Sequence, residues 1–260
     1  MMRSLFTAAT GMGAQNLNMD VIANNLANVN TTGFKKGRAD FEDLMYQTLR
    51  QPGATQAGGQ MIPSGIQVGL GVKPVAIQKI FSQGNFQQTE NQLDLVIEGE
   101  GFFKVLKVDQ EVYTRAGSFK LDNNGVIVDS NGYILQPQFT VPTGTTSLVI
   151  DASGQITALA KDGTTLGQAQ MTIFRFPNKG GLFAIGKNLF TPTPASGDAV
   201  EGTPGTGEYG TIAQGFLEMS NVSVVDEMVN MIIAQRAYEA NSKAIQTSDQ
   251  LLQLANNVKR

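Results

Sequence analysis

Apolar side chains recur at seven-residue intervals at both ends of the chain. The series near the start is Leu5, Met12, Met19 and Leu26, and the series near the end is Val224, Met231, Tyr238, Ile245 and Leu252, with Met228 at an intermediate position. This spacing is typical of a helix whose apolar stripe packs along another helix. It predicts a long helix at each terminus. Asn221 or Ser223 can cap the second helix, whose first turn would contain Asp226 and Glu227.

Short apolar runs separated by glycine-containing turns fill the middle of the chain. Leu93, Leu95 and Ile97 alternate with polar residues, and the sequence Asn-Asn-Gly at 123–125 between two such runs predicts a hairpin. Further runs lie at 148–150 and 171–176, beside the turn sequences DASG and KDG. Regularly spaced short strands predict an antiparallel sandwich or barrel-like domain. The Pro- and Gly-rich stretch from Thr191 to Gly210 is expected to be a long surface loop.

The stretch between the first helix and these strands has no clear period. Its Gly- and Gln-rich part, Tyr46 to Gly65, is expected to be a linker or an extended arm. The basic cluster KKGR, Lys35 to Arg38, has no interleaved aromatic residues, which favours a solvated turn over a nucleic-acid site.

The expected fold class is mixed α and β. N- and C-terminal helices, within 1–34 and 218–260, would form a discontinuous, coiled-coil-like core domain. An extended linker arm would follow at 35–86, and an antiparallel β-rich outer domain would be inserted at 87–217.

Charge is scarce along the chain. Charged residues make up 16% of it and the net charge is −3, whereas ordinary soluble domains have about 25% charged residues. Between Met1 and Phe34 only Arg3 and Asp20 are charged, although a helix with one solvated face normally carries more. We therefore expect the first helix to be surrounded by other helices, most of them from other copies of the chain. The alternative is two ordinary amphipathic helices beside one core.

Composition excludes several kinds of site. The chain contains no Cys, His or Trp, so the usual zinc and copper ligands and imidazole-dependent catalytic triads are unavailable. We expect no catalytic residue, no metal and no cofactor, and the low charge predicts no nucleic-acid partner. No apolar run is long enough to span a bilayer. The run from Leu5 to Ala9 is too short for a secretory signal.

Two other functional classes remain as alternatives. Asp94, Glu98 and Glu100 lie near one predicted strand, and a glycosidase needs two carboxylates about 5 to 10 Å apart. However, Glu98 and Glu100 have the spacing of ordinary solvated strand residues. A secreted adhesin or binding module, with helices that serve only for oligomerisation, is the second alternative.

The chain resembles the rod and hook family of axial proteins in the bacterial flagellum. The resemblance rests on NNLANVNTTGFK at 24–35 and on the segment from Ser220 to Gln253, and between the chain ends on SLFTAATGMGAQ, FEDLMYQ, PSGIQVGLGVKP, EGEGFFKV and YTRAGSF in the same order. These motifs cover nearly the whole chain. Its length and the arm favour the distal rod branch over the hook branch, whose outer region is larger. A hook or proximal-rod paralogue is the nearest alternative within the family.

The resemblance implies a structural subunit of a straight, rigid helical tube that transmits motor torque across the periplasm to the hook. It implies proximal rod proteins below, the hook protein above, and P-ring and L-ring proteins around the tube. It also implies a basal-body location and export through the flagellar type III apparatus without a cleaved signal peptide.

The same resemblance, together with the repeats, assigns residues to two surfaces. Subunit contacts are expected from Leu5, Met12, Met19, Asn24, Asn25, Leu26, Asn28, Gly33, Phe34, Val224, Met228, Met231, Arg236, Tyr238, Asn241, Lys243, Ile245 and Leu252. An arm that stiffens the tube is expected to include Tyr46, Gln51, Pro52, Gly53, Pro63 and Gly65. The asparagines at 24, 25, 28 and 30 are expected to close the first helix and to bond neighbouring subunits. The helix would end at Gly33, where glycine tolerates a left-handed turn.

Overall fold

A computed structural model describes residues 2–52, 64–108 and 110–258 of the chain. Within these ranges the fold is mixed α and β, as expected, with a helix at each end and antiparallel strands between them. The chain divides into two compact units. Unit 1 comprises Met1–Leu26, Gly37–Gln78 and Ser223–Arg260, and unit 2 comprises Ala27–Lys36 and Lys79–Val222.

Unit 1 contains both long helices and two β-ribbons. The helices are α1, Met2–Ala27, and α2, Val224–Val258. The strands are β1, Gly37–Asp43; β2, Tyr46–Arg50; β3, Ile66–Gly69; and β4, Val72–Lys79, whose last residue belongs to unit 2. β1 pairs with β4, and β2 pairs antiparallel with β3. All five residues of β2 are exposed. Because no face of β2 is buried, its sequence lacks the apolar alternation by which strands are usually predicted.

Unit 2 holds the remaining strands. They are β5, Phe86–Gln88; β6, Leu95–Glu98; β7, Phe103–Lys107; β8, Gln110–Thr114; β9, Phe119–Leu121; β10, Ile127–Asp129; β11, Ile134–Gln136; β12, Thr145–Ile150; β13, Gln155–Ala160; β14, Thr165–Gln170; β15, Ile173–Arg175; β16, Phe183–Gly186; β17, Leu189–Thr191; β18, Val200–Gly202; β19, Thr211–Gln214; and β20, Phe216–Glu218. Seven of them form one sheet in the order β16-β17-β8-β7-β11-β10-β9, and β12, β13 and β14 form a second.

The buried core of unit 2 lies between these sheets and the shorter strand pairs. Phe103, Val105 and Ile173 are completely buried, and Phe119 stacks edge-to-face on Phe103 with ring centroids 5.3 Å apart. The predicted hairpin at 123–125 is confirmed: β9 pairs with β10, and Gly125 has a φ of +73° in the turn. The DASG and KDG sequences form the turns between β12, β13 and β14.

The stretch from Thr191 to Gly210 is not a continuous loop, so that prediction is wrong in part. β18 lies inside it and pairs with β15, with Ile173 opposite Gly202. Only three residues long, β18 is too short for a recognisable period.

The first helix ends at Ala27 and not at Gly33 as the sequence suggested. Thr31 donates two hydrogen bonds to Asn28, from its N–H to the carbonyl and from its hydroxyl to Oδ1, each at 3.2 Å. Such local bonds compete with the helix and turn the chain out of it. Gly33 has the expected left-handed φ, +69°, but lies in the loop beyond the helix. Its N–H donates to the carbonyl of Glu218 at 2.8 Å.

The cluster KKGR is not simply a solvated turn, because Lys35 is buried in unit 2. Its Nζ lies 2.6 Å from Glu218 Oε1 and donates to the carbonyl of Ser82 at 2.7 Å. Arg115 Nε lies 3.2 Å from Glu218 Oε2, and none of the three charged side chains is more than 5% exposed. Burial lowers the pKa of Lys35, and the Glu218 carboxylate opposes that shift. The local sequence contains no sign of this pair because Glu218 lies 183 residues away.

Candidate subunit interface

The helices of unit 1 meet antiparallel along a seam of small and polar residues. Ser4 Oγ lies 3.2 Å from Ser248 Oγ, and a Cβ added to Gly11 would lie 2.9 Å from Asn241 Nδ2. At the other end of α1, Asn25 Nδ2 donates to Glu227 Oε2 at 3.4 Å. Each seven-residue step along α1 is thus matched by a seven-residue step back along α2.

This register lines the seam itself with small and polar residues. It places Asn18 of α1 opposite Ala234 of α2, which is 1% exposed. Buried Ala8 and Ala14 also belong to the inner side of α1. Apolar burial is the main favourable term in helix packing, at about 25 cal/mol per Å². The Ser, Gly, Asn and Ala positions therefore contribute little apolar burial, and the apolar side chains beside them on α2, such as Met231 and Ile245, are only half-buried.

Two local features fix the ends of the pair. Ser223 caps α2, as one of the two expected candidates: its Oγ accepts from the N–H of Asp226 at 3.4 Å, and its carbonyl accepts from Glu227 at 3.0 Å. Asn25 is 2% exposed, and its amide group bonds both the N–H and the carbonyl of Gly37, at 2.8 and 2.9 Å. Asn25 therefore ties α1 to the start of β1 within the same chain.

The β1–β4 ribbon covers a further part of α1. Thr10 Oγ1 accepts from the N–H of Val72 at 3.4 Å, and a Cβ added to Gly71 would lie 2.2 Å from the same oxygen. Gly37 packs against Val21, with an added Cβ 3.6 Å from Val21 Cγ1. Val21 and Ile22 are both buried.

The outer side of α2 carries an exposed apolar patch over its first three turns. We call it the start patch and define it as Val225, Met228, Val229, Ile232 and Ile233, which are 50–71% exposed. Arg236, Glu239 and Lys243 follow on the same side, all exposed, with Arg236 and Glu239 3.8 Å apart. Contiguous exposed apolar residues of this kind mark surfaces that bind another molecule. The first three turns of α2 therefore present an apolar surface that stays largely exposed in the single chain.

The expected contact residues fall into three groups in the structure. Exposed ones are Asn24, Val224, Met228, Arg236, Tyr238 and Lys243; half-buried ones are Leu5, Met12, Met19, Leu26, Asn28, Met231, Asn241, Ile245 and Leu252; buried ones are Asn25, Gly33 and Phe34. Phe34 packs in unit 2 beneath Lys79, whose Nζ is 4.4 Å from the ring centroid. The buried group makes its contacts inside the chain.

The sequence pattern missed half of the seam. The expected intermediate position was Met228, but the structure puts Glu227, Ala234, Asn241 and Ser248 in the seam and Met228 outside it. A prediction from hydrophobicity selects Met228, because three of the four seam positions hold polar side chains and the fourth holds an alanine. The sequence feature that could have identified these seam positions is a seven-residue repeat of small and polar residues.

The arm residues are exposed where the structure describes them. Tyr46, Gln51 and Pro52 are exposed and Gly65 is half-buried, while Gly53 and Pro63 lie outside the described residues. Met45 and Leu49, 83% and 56% exposed, add apolar surface to the same ribbon. An isolated two-stranded ribbon is marginally stable in water, so this surface also fits contact with another molecule.

Other kinds of site find little support in the part of the chain that the structure describes. No group of three or more acidic side chains there could hold a metal ion, and no described helix is long and apolar enough to cross a membrane. Glu98 and Glu100, the pair considered for catalysis, bond to Thr211 and to Lys179 respectively.

Three family models match separate parts of the chain. Residues 5–35 match the flagella basal body rod protein model, residues 96–158 the flagellar hook protein FlgE/F/G D1 domain, and residues 213–258 the flagellar basal body rod FlgEFG protein C-terminal model. The first and last of these matches coincide largely with α1 and α2.

Similar proteins cover the whole chain. A flagellar basal-body rod protein FlgG from Borreliella burgdorferi is 51% identical over 264 residues, which is 100% of both chains. The FlgG protein of Buchnera aphidicola subsp. Schizaphis graminum is 47% identical over 97% of this chain and 98% of its own. A flagellar hook protein FlgE from Helicobacter mustelae is 43% identical over 139 residues, covering 52% of this chain but 30% of the hook protein.

Proposed function

The chain belongs to the family of flagellar basal-body rod proteins, and on that premise we propose that many copies pack into a straight, rigid helical tube that carries motor torque across the periplasm to the hook. It is a structural subunit of the distal rod in the flagellar basal body, and not an enzyme. In the tube, the segments 1–34 and 218–260 would form the core and the residues 87–217 the outer domain.

The observation that carries this proposal is the distribution of apolar residues on the terminal helices. The seam between α1 and α2 holds small and polar residues with half-buried apolar ones beside them, while Val225, Val229 and Ile232 point away from it and are at least 50% exposed. A helix pair that is stable alone would bury these three apolar side chains between its helices. Neighbouring copies are the surfaces that would bury this patch and order the pair.

The expected contact residues that are exposed extend this interface. Met228 lies inside the start patch, and Arg236, Tyr238 and Lys243 lie farther along α2. Exposed Asn24 on α1 would add uncharged hydrogen bonds, which cost less to desolvate than charges. We propose the arm, 46–65, as a further contact that keeps the tube straight.

The remaining partners are proposed from family membership alone. They are the proximal rod proteins below, the hook protein above, and the P-ring and L-ring proteins around the tube. Export through the flagellar type III apparatus, without a cleaved signal peptide, is proposed on the same ground.

Replacing Met228 by Asp tests the interface. The charge would have to be buried in each subunit contact, and an unpaired buried charge costs several kcal/mol. We expect Met228→Asp to abolish tubes in negative-stain electron microscopy of concentrated protein, with the thermal unfolding of unit 2 unchanged.

Thr247→Asp is the matched control. Thr247 is an exposed residue of α2 that belongs to no apolar patch, and it follows Lys243 by four residues. The Thr247→Asp variant should still form tubes, because the new carboxylate can pair with Lys243. Normal tubes from Met228→Asp, or equal losses from both variants, would contradict the proposed interface.

A further inference from the structure

The α2 helix extends beyond the start of α1. The register that sets Ser4 beside Ser248 leaves residues 251–258 of α2 past the first residue of α1. We call residues 251–258 the overhang. Within it Leu251 and Leu254 are 48% and 60% exposed, and none of its residues is charged. No described residue of α1 lies opposite this segment in the same chain.

The overhang lies on the same side of α2 as the start patch. At 3.6 residues per turn, Leu254 is a near-whole number of turns from Val225 and from Val229. Arg236 and Lys243 lie on that side too, between the two apolar regions. One face of α2 is therefore apolar at both ends and charged in the middle.

This pattern limits how two copies can meet through that face. Parallel pairing in register would place Arg236 against Arg236 and Lys243 against Lys243, which is unfavourable. A displaced parallel arrangement avoids the charged middle altogether. The end of one helix then overlaps the beginning of the next, and apolar residues meet apolar residues.

We propose that the overhang of one copy docks on the start patch of the next copy along the tube. This contact rests on the proposed function, because it needs copies that follow one another in the same direction. It joins two different surfaces, so it does not close on itself and each copy adds one more link.

Electrostatics favours contact between the overhang and the start patch. The C-terminal end of a helix carries partial negative charge and the N-terminal end partial positive charge, so overlapping ends attract each other.

The competing arrangement is a closed pair of antiparallel α2 helices. It too would bring each overhang onto a start patch, and it would set Glu239 near Lys243 of the other copy. That pair stops at two copies. The two arrangements therefore differ in how many copies the contact links: two in the closed pair, and many in the displaced parallel arrangement.

Disulfide trapping measures this number, because the chain has no cysteine of its own. The double variant Val229→Cys, Leu254→Cys is assembled, oxidised and run on a denaturing, non-reducing gel. We expect a ladder of covalent dimers, trimers and larger species. A product that stops at the dimer would overturn the proposal in favour of the closed pair. The single variant Val229→Cys, and Lys243→Cys combined with Leu254→Cys, should give no ladder.

Charge-pair rescue covers the case in which the cysteine variants do not assemble. Ile232→Lys and Leu254→Glu should each lower the amount of polymer by about tenfold or more, and the double variant should recover most of it. No recovery would overturn the proposal. If the wild-type chain forms tubes but neither experiment gives the expected result, this contact is wrong and the proposed function stands. If the wild-type chain forms no tubes, the proposed function itself fails.

Discussion

Gly33 occupies a position that no other residue fits without strain. Its φ of +69° costs a residue with a Cβ about 1–2 kcal/mol. An added Cβ would also lie 2.6 Å from the backbone nitrogen of Ala116, which cannot move away as a side chain can. The glycine thus lets the loop after α1 lie directly on the backbone at 115–116 of unit 2.

Gly33→Ala is expected to destabilise unit 2 by the conformational cost and by about 1–3 kcal/mol more for the clash. Urea denaturation followed by near-ultraviolet circular dichroism measures the loss. Gly132→Ala is the control, since Gly132 has a φ of +81° but no atom within 4 Å of an added Cβ. Equal losses in the two variants would show that the close approach at Gly33 is unimportant.

Glu218 is the only acidic partner of two buried cations among the described ion pairs. Glu218→Gln removes the ion-pair partner that Lys35 and Arg115 share, and breaking a buried pair in this way costs about 3–5 kcal/mol. Lys35→Met should cost less, because Arg115 and Glu218 still neutralise each other. A larger loss from Lys35→Met than from Glu218→Gln, in the same urea assay, would contradict this account.

The control for this prediction is an exposed ion pair. Lys104 Nζ lies 3.1 Å from Glu111 Oε1, and the Glu111 side chain is 57% exposed. Glu111→Gln should change the free energy of unfolding by no more than about 1 kcal/mol.

Single-residue features were predictable from sequence where their cause is local. Ser223 as a cap and Gly33 as a left-handed residue follow from their immediate neighbours and intrinsic preferences. The burial of Lys35 does not, because it depends on Glu218 and Arg115, which only the fold brings to it. A basic cluster followed by glycine looks the same in a solvated turn and in a buried ion pair.

The secondary-structure elements were likewise predictable where the local sequence determines them, and not where they depend on the fold. Both long helices were predictable, since a seven-residue repeat extends over several turns in each. The seam was predictable only in part, because Met228 is more apolar than Glu227, the residue that actually faces α1. The ribbon strands β2 and β3 were missed because neither has a buried face.

The arm provides a prediction about an element and its neighbours. Deleting residues 51–61 would join β2 to β3 through a shorter loop without touching either strand. If the arm packs between subunits, the deletion removes that contact, and we expect a polymer that bends. Curvature measured in electron micrographs tests this, and rods as straight as those of the wild type would refute it.

A variant of unchanged length separates side-chain contacts from loop length. Replacing residues 51–61 by a Gly-Ser repeat keeps the chain length but removes their side chains. We expect the same bending as in the deletion. Straight rods from the repeat variant alone would mean that length, and not contact, keeps the tube straight.

On the proposed function, the subunit combines one unit that has its own core with one that other copies would complete. Unit 2 has an aliphatic and aromatic core of its own. Unit 1 has a helix pair with a polar seam, an exposed start patch and an exposed ribbon. The sequence was enough to expect this difference between the two units, because the scarcity of charge on α1 already indicated that other copies of the chain surround it. The overhang required the register between the helices, which the sequence does not display.

Amide hydrogen exchange of the free and the assembled protein tests whether the terminal helices depend on neighbouring copies. In dilute monomer, the amides of α1 and α2 should exchange rapidly while those of β7 and β8 stay protected, and assembly should slow exchange in both helices by orders of magnitude. Helices as well protected in the monomer as in the tube would contradict the account.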